Sequence, residues 1–239
     1  MIPTLDEGRN ISAVIDRTIS VLSPITSPWE ILVVDDESSD GTAAIVSEYA
    51  KSEPRVRVLV RRGERGLAGA ITHGWAQSSA GLLGVMDADL QHPPELIPAL
   101  INEISNGADI AIASRYIRPH SMDNWNPLRR LISRLGVLAS KPVQRAALSV
   151  KDPLSGFFVV RRKCADGLTF QQSGFKLLLE ILAKGRIDSV SEVPFDFAVR
   201  QNGQSKAGLM TAVHYLILLF RLLRDFVVRY RTAAMKMWT

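Results

Sequence analysis

The sequence predicts an α/β fold: a mostly parallel sheet with helices on both faces, followed by a C-terminal amphipathic helix. Three observations predict it. Through the first half of the chain, short apolar runs of strand length alternate with segments whose apolar residues recur at helical spacing. Two of those runs end in carboxylates, at 35–36 and 87–89, as strands do at the ligand-binding edge of an open α/β sheet. The length of 239 residues, 46% of them apolar, suits a single core, since α/β enzymes keep up to about 250 residues around one.

Taken in order, Ile11, Val14, Ile15, Thr18, Ile19 and Leu22 repeat at helical spacing, and residues 30–34 read as a buried strand. A helix over 42–51 follows, opened by the capping cluster Ser38, Ser39 and Asp40. Residues 56–60 form a strand, 69–79 a helix, 82–86 a strand, 94–106 a helix with Pro in its first turn, and 110–114 a strand. Beyond 114 the pattern loosens into a basic segment, a helix over 128–147, a strand at 157–160, a helix at 175–184 and strands within 190–199. The tail from Gly208 is helical, with Leu209, Val213, Leu216, Phe220, Leu223, Val227 and Tyr230 on one stripe. The expected division is a catalytic domain over 1–207 and an amphipathic helix over 208–239 that lies in a membrane interface or packs on the domain. The opening Met-Ile-Pro-Thr leaves two or three residues for the strand before the first helix, so that strand is expected to be truncated, at a cost in stability.

Composition excludes collagen-like, low-complexity, disordered and disulfide-rich classes. The single thiol, Cys164, makes no internal disulfide or cysteine zinc site, which fits a reducing compartment. Net charge is +5, but its distribution says more. Residues 115–151 carry eight basic side chains against Asp123, residues 208–239 carry five against Asp225, and the remainder is negative by six. Basic charge so confined suits an anionic partner such as phosphate, a membrane surface or nucleic acid. No basic-then-apolar leader opens the sequence. The longest apolar run, 209–220, rises only about 18 Å as a helix against a hydrocarbon core of about 30 Å, so no segment is expected to span a bilayer.

Four constellations carry chemistry. In VVDDESSDGT at 33–42, Asp40 and the serines suit helix capping, while Asp35 and Asp36 stand at the strand end where carboxylates accept hydrogen bonds from ribose or base. In VMDADLQHPPE at 85–95, an Asp-x-Asp pair alone would carry little, because 14 Asp in 239 residues give about 0.8 such pairs by chance. Its position after a strand brings Asp87, Asp89 and the Gln91 amide oxygen together at the ligand edge, a hard oxygen set for Mg²⁺ or Mn²⁺ shared with phosphates. The glycine-rich loop at 62–69 opens a helix N-terminus that favours anions, and no Gly-Lys-Ser/Thr follows to make it a P-loop. Arg115, Arg129, Arg200 and Lys206 are side chains that suit phosphate groups.

These motifs, in this order, with PTLDE at 3–7, RGLAGA at 65–70, ASRY at 113–116, DPLSGFF at 152–158 and VPFDFAVRQNGQSKAG at 193–208, closely resemble the dolichol-phosphate mannose synthase branch of glycosyltransferase family 2. The resemblance covers essentially the whole chain. It implies a GT-A (Rossmann-like) fold, a nucleoside-diphosphate sugar donor and a polyprenyl phosphate acceptor. By position it implies Pro3, Leu5, Glu7, Val34 and Asp36 around the nucleoside, and Asp87, Ala88, Asp89 and Gln91 around metal and diphosphate. Arg115, Arg129 and Ser133 would hold the acceptor phosphate, and Arg200 and Lys206 the donor diphosphate. Two departures bear on the base: Leu5 stands where the family usually has Tyr, and Asp6 where it usually has Asn.

The implied reaction is transfer of a hexose, mannose from GDP-mannose, to a polyprenyl phosphate by metal-assisted inverting displacement. Alternatives are UDP-glucose or another donor, a sugar hydroxyl acceptor in polysaccharide synthesis, and, more distantly, a nucleic-acid-binding protein. The hydroxyl acceptor would need a base, whereas the middle segment offers arginines. Nucleic acid is disfavoured because that segment holds few aromatics beyond Tyr116 and Trp125. A lipid acceptor further implies a peripheral protein on the cytoplasmic face of a membrane and leaves room for a membrane-anchoring partner protein.

Overall fold

The structure is a computed structural model that describes residues 1–118, 121, 125–144, 149–171, 174, 176–196 and 209–236. In chain order the elements are β1 (Ile2–Thr4), α1 (Ile11–Leu22), β2 (Ile31–Asp35), α2 (Thr42–Ser52), β3 (Val56–Val60), α3 (Leu67–Ala76), β4 (Leu82–Val85), α4 (Ile97–Ser105), β5 (Ile110–Ser114), α5 (Pro127–Ser140), β6 (Phe158–Arg161), α6 (Arg162–Ala165), α7 (Leu177–Lys184), β7 (Val190–Pro194) and α8 (Leu209–Lys236). One sheet runs β1-β2-β3, all parallel, and a second runs β4-β6-β5-β7, in which β6 is antiparallel to β4 and β5 while β5 and β7 are parallel. The Met86 N–H donates to the Met1 carbonyl at 3.1 Å, which sets β4 beside β1 and makes one continuous layer.

Period-2 alternation divides the sheet's two faces. Ala111, Ala113 and Phe157 pack with Ile11, Ile15, Leu100 and Ile104 of α1 and α4, while Ile110, Ile112 and Phe158 pack with Ile71, Leu178 and Ile181 of α3 and α7. Each side chain so buried contributes at most about 1.5–3 kcal/mol. The central strand β1 has three residues where β2 and β3 have five each.

Element types follow the sequence, with four corrections. The helix expected over 69–79 begins earlier, at Leu67, and ends at Ala76. The helix expected over 128–147 ends at Ser140, where Pro142 lies in a 3-10 turn over Lys141–Val143, and 145–148 lie outside the described residues. Ser38 and Ser39 do not cap α2: its N-cap is Gly41, in the left-handed region at φ 86°. The C-terminal helix is apolar on two faces rather than one. Leu218, Leu219 and Leu222 are buried against Val143, Leu154 and Leu179, whereas the expected stripe, as Val213, Leu216, Phe220 and Leu223, faces outward. The side chains of Leu209, Val227 and Tyr230 lie outside the described residues. No described helix is long and apolar enough to cross a membrane.

Candidate active site

The carboxyl ends of β1 and β2 are tied together by carboxylates. Asp35, fully buried, accepts from the Thr4 hydroxyl at 2.9 Å, the Ser38 N–H at 2.8 Å and the Ser38 hydroxyl. Ser38 Oγ accepts the Asp6 N–H, Asp6 accepts the Ser39 N–H, and Asp40 accepts the N–H groups of Gly8 and Thr42. The two loops thus clasp each other, which is the work the serines do instead of capping. Asp6 sits at φ 56°, a left-handed conformation that Asp and Asn tolerate best. Asp35, expected as a ligand carboxylate, is committed to this clasp.

Asp36 is buried and paired with Arg61, Nε to Oδ1 at 2.7 Å, while its other oxygen accepts the Gly66 N–H at 2.8 Å. The glycine-rich loop does present an amide to an anion, and that anion is the protein's own Asp36. The Ala68 N–H also has a partner, the Gly174 carbonyl. Losing either member of the Asp36–Arg61 pair would strand a buried charge, at about 3–5 kcal/mol. Pro3 and Val34 are buried beneath these loops, Leu5 is partly exposed at their rim, and Glu7 accepts from the Asn10 amide at 2.9 Å.

The turn after β4 carries Asp87, which is part-exposed, and Ala88, Asp89 and Gln91, which are buried. The Asp89 carboxylate accepts the Gln91 N–H at 3.1 Å, and Leu90 between them adopts φ 60°, strain of about 1–3 kcal/mol that the buried surroundings hold. His92 anchors the turn from below. Its ring packs 5.4 Å from Phe157 and 5.8 Å from Phe195, its Nδ1 accepts the Asp87 N–H at 3.3 Å, and burial holds its pKa below the usual histidine value against the pull of Asp87 and Asp89. Gly156 closes the other side: a Cβ there would lie 2.9 Å from Asp87 Oδ2 and 3.3 Å from His92 Cε1. The donor set is two carboxylates and an amide oxygen on one turn, with Asp87 38% exposed toward the cleft. That chemistry fits a hard divalent cation.

Beside the turn lies a pocket of cations on aromatic supports. Asp152, fully buried, accepts from Arg115 Nε at 2.8 Å, Nη2 at 2.7 Å and the Arg115 main-chain N–H at 2.9 Å. Burial opposes the Arg115 charge, but Asp152 outweighs it and raises the pKa above the ordinary value. Arg129 lies 4.0 Å from the Trp125 ring centroid, Arg115 lies 5.8 Å from the same ring, and the Tyr116 hydroxyl is 2.7 Å from Ser133 Oγ. Arg115, Arg129 and Ser133, which lie up to 18 positions apart in the sequence, therefore share one pocket built on Trp125 and Tyr116. Lys176 joins it from the segment before α7, with Nζ donating to the Leu154 carbonyl at 3.2 Å. Burial and nearby Arg115 lower its pKa to about 8 against the opposing pull of Asp152 and Asp87.

Arg200 and Lys206 lie outside the described residues. Sequence reasoning missed five residues of this site: His92, Asp152, Ser155, Gly156 and Lys176. Four of them stand in segments already singled out, VMDADLQHPPE and DPLSGFF, but nothing in spacing alone says that Gly156 must lack a side chain. Ser155 Oγ donates to the Ala113 carbonyl at 2.7 Å, fixing the loop against β5. Lys176 had no motif to mark it.

A parallel-rich sheet whose strand end carries two carboxylates suits a glycosyltransferase, and comparison with known proteins shows that class. The family description "Glycosyl transferase family 2" matches residues 1–169, and the chain belongs to that family. It is 41% identical over 224 residues to a dolichol-phosphate mannosyltransferase of Pyrococcus furiosus, covering 94% of this chain and 63% of that protein. It is 34% identical to the dolichol-phosphate mannosyltransferase of Saccharomyces cerevisiae, covering 90% and 83%, and 33% identical to the polyprenol monophosphomannose synthase of Mycolicibacterium smegmatis, covering 86% and 79%. Among solved structures, glucosyl-3-phosphoglycerate synthase of Mycobacterium tuberculosis in complex with Mn²⁺, uridine diphosphate and glucosyl-3-phosphoglycerate matches with a TM-score of 0.65 at 21% identity, over 94% of this chain and 77% of that one. At that identity the likeness shows the shared GT-A fold.

Proposed function

We propose that this protein transfers mannose from GDP-mannose to a polyprenyl phosphate. The observation that carries the reading is the pocket of Arg115, Arg129 and Ser133 beside Asp87: a cationic cradle suited to an anionic acceptor, next to the carboxylate turn that this reading assigns to the donor. The sequence relatives, by their names a dolichol-phosphate mannosyltransferase or a polyprenol monophosphomannose synthase, support the sugar and the acceptor. Asp87, Asp89 and Gln91 would hold Mg²⁺ or Mn²⁺, which when bound supplies positive charge to the donor diphosphate.

A phosphate monoester has its second pKa near about 6, so at neutral pH the acceptor oxygen is already ionised and needs no base. Arg115, fixed by Asp152, and Arg129, fixed on Trp125, orient that oxygen toward the anomeric carbon. As the new C–O bond forms, the bond to the diphosphate breaks with its electron pair, and a single in-line displacement inverts the anomeric centre. Arg200 and Lys206 are assigned to the departing diphosphate, and Pro3, Leu5, Glu7, Val34 and Asp36 to the nucleoside side of the cleft. In that assignment Asp36 acts through the Arg61 and Gly66 contacts that shape the loop.

The acceptor's lipid requires work at a membrane surface, and two helices suit it. On α5, Leu128, Leu131, Ile132, Leu135 and Leu138 are exposed beside arginines 129, 130 and 134, and on α8, Leu216 and Phe220 are exposed beside Arg221 and Arg224. The Tyr215 hydroxyl donates to the Gly136 carbonyl at 2.6 Å, which fixes the two helices to each other. An apolar face flanked by arginines fits an anionic bilayer, at about 1 kcal/mol for each basic residue near the surface. We place the protein peripherally, on the reducing cytoplasmic side that suits its free Cys164. The test of the acceptor assignment is Arg129→Ala, which is expected to lower polyprenyl phosphate use at least tenfold with donor affinity unchanged; an equal loss of donor binding would overturn it.

A further inference from the structure

Strand β7 stands beside β5, with Ala111 opposite Ser191 and Ile112 opposite Glu192. Successive side chains of a strand leave opposite faces. Ser191 therefore reaches α4, where its hydroxyl donates to Glu103 at 2.6 Å, and Glu192 leaves the other face. There its two carboxylate oxygens accept two consecutive main-chain N–H groups, those of Lys151 and Asp152, at 2.9 Å each. Asp152 in turn is fully buried and takes three donors from Arg115. The same loop continues through Leu154, whose carbonyl accepts from Lys176 Nζ, and Ser155, whose hydroxyl is tied to the Ala113 carbonyl, to Gly156 against Asp87. Residues 151–156 thus form one bracket that anchors the cationic pocket at Asp152 and gives clearance to the carboxylate turn at Gly156.

We infer that Glu192 is a positioning residue for the transfer reaction, an inference that rests on the assignment of Arg115 to the acceptor. By holding the main chain at 151–152 it sets where Asp152 holds Arg115, and so where the acceptor phosphate sits relative to the carboxylate turn. A carboxylate suits this place because both of its oxygens accept, and an ionised acceptor makes hydrogen bonds about twice as strong as a neutral one. Arg115 follows the loop rather than adjusting independently of it, since its main-chain N–H as well as its guanidinium is bound to Asp152. The ties from Lys176 and Ser155 act on the Gly156 half of the bracket, and Glu192 acts on the Asp152 half. Strand β7 also leads into the segment that carries Arg200 and Lys206, so one strand serves both the acceptor pocket and the residues assigned to the diphosphate.

The test is Glu192→Gln, which keeps the shape of the side chain but turns an amide NH₂ toward a main-chain N–H, donor against donor. Initial rates are measured with Mn²⁺ against polyprenyl phosphate and against the nucleotide sugar that the wild type turns over, with thermal melting in parallel. The KM for polyprenyl phosphate is expected to rise at least about fivefold, because a misplacement of about 1 Å near a reacting centre costs about 10²-fold, while the donor KM stays at the wild-type value. In an Arg115→Lys background the same change is expected to add less than about twofold, since residues that act through one contact do not add. Ser191→Ala, which loosens β7 on its opposite face, is expected to lower the Tm and leave both KM values unchanged. An unchanged acceptor KM in Glu192→Gln, an undiminished effect in the Arg115→Lys background, or the same KM rise in Ser191→Ala would overturn the positioning role. A fall in Tm with both KM values at wild type would make Glu192 purely structural and overturn it equally. Should Arg115→Lys raise the donor KM and spare the acceptor KM, the acceptor assignment fails by itself. The positioning role then stands if Glu192→Gln raises the donor KM without adding to Arg115→Lys, and falls if it does not.

Discussion

Gly156→Ala isolates the geometry of the Asp-x-Asp turn. The new methyl would stand 2.9 Å from Asp87 Oδ2 and 3.3 Å from His92 Cε1. An ordinary C···O contact is about 3.4 Å, so about half an ångström must be recovered. The buried His92 ring, between Phe157 and Phe195, has nowhere to go, whereas the Asp87 carboxylate is 38% exposed and moves. The φ of Gly156 lies outside the left-handed region, so Ala is allowed there, and the gain of about 0.4–1 kcal/mol from a stiffer unfolded chain partly offsets a packing cost of about 1–3 kcal/mol. The Tm should therefore stay within about 5 °C of wild type. A misplacement of about 1 Å at a reacting centre costs about 10²-fold, so kcat/KM should fall about 10- to 100-fold, and the Mn²⁺ concentration for half-maximal rate should rise. The assay is initial transfer rate against Mn²⁺ concentration, with thermal melting in parallel. Wild-type rates and metal dependence would refute the reasoning, as would a collapse of Tm with normal activity in the folded fraction.

Lys176→Met tests the buried cation. The folded pKa of about 8 lies below the unfolded value near about 10.4, so the unfolded chain holds the extra proton between them, and wild-type stability gains from Lys176 as pH rises through that window. The variant lacks that slope: its Tm relative to wild type should be highest at pH 7 and fall steadily to pH 10, and a pH-independent difference would contradict the assignment. Ile132→Glu with Phe220→Glu puts charge on side chains that are 61% and 71% exposed, so the Tm should hold while sedimentation with anionic vesicles falls at least tenfold. Unchanged sedimentation would remove the membrane face. Point substitutions are preferred to truncation after 208 because Leu218, Leu219 and Leu222 each bury up to about 1.5–3 kcal/mol of apolar surface, a large share of a domain's total stability.

The fold was legible because its signals are local. Helical spacing in α1, the apolar run of β2 and the carboxylates at strand ends each follow from a few adjacent residues, and all appear where expected. That Asp87, Asp89 and Gln91 share the turn after a strand was legible, since the apolar run of β4 ends just before them. What the sequence hid is set by distant partners. Asp36 stands at the strand end as expected, but no local pattern reveals that Arg61 and Gly66, 25 and 30 residues away, donate to its two oxygens. Gly156 reads as flexibility and acts as clearance for a carboxylate from another strand. Val213, Leu216, Phe220 and Leu223 of the expected α8 stripe face outward, but the helix's inward face depends on Leu154 and Leu179, which no helical repeat reveals.

The central claim is tested most directly by incubating the purified protein, with Mn²⁺, with radiolabelled GDP-mannose, UDP-glucose or UDP-N-acetylglucosamine and a short polyprenyl phosphate, with Asp89→Ala as the control. The expected product is an organic-soluble mannosyl phospholipid of inverted configuration from GDP-mannose alone, absent with Asp89→Ala or excess chelator. Label transferred from another donor, label on a sugar hydroxyl, or full turnover by Asp89→Ala would contradict it.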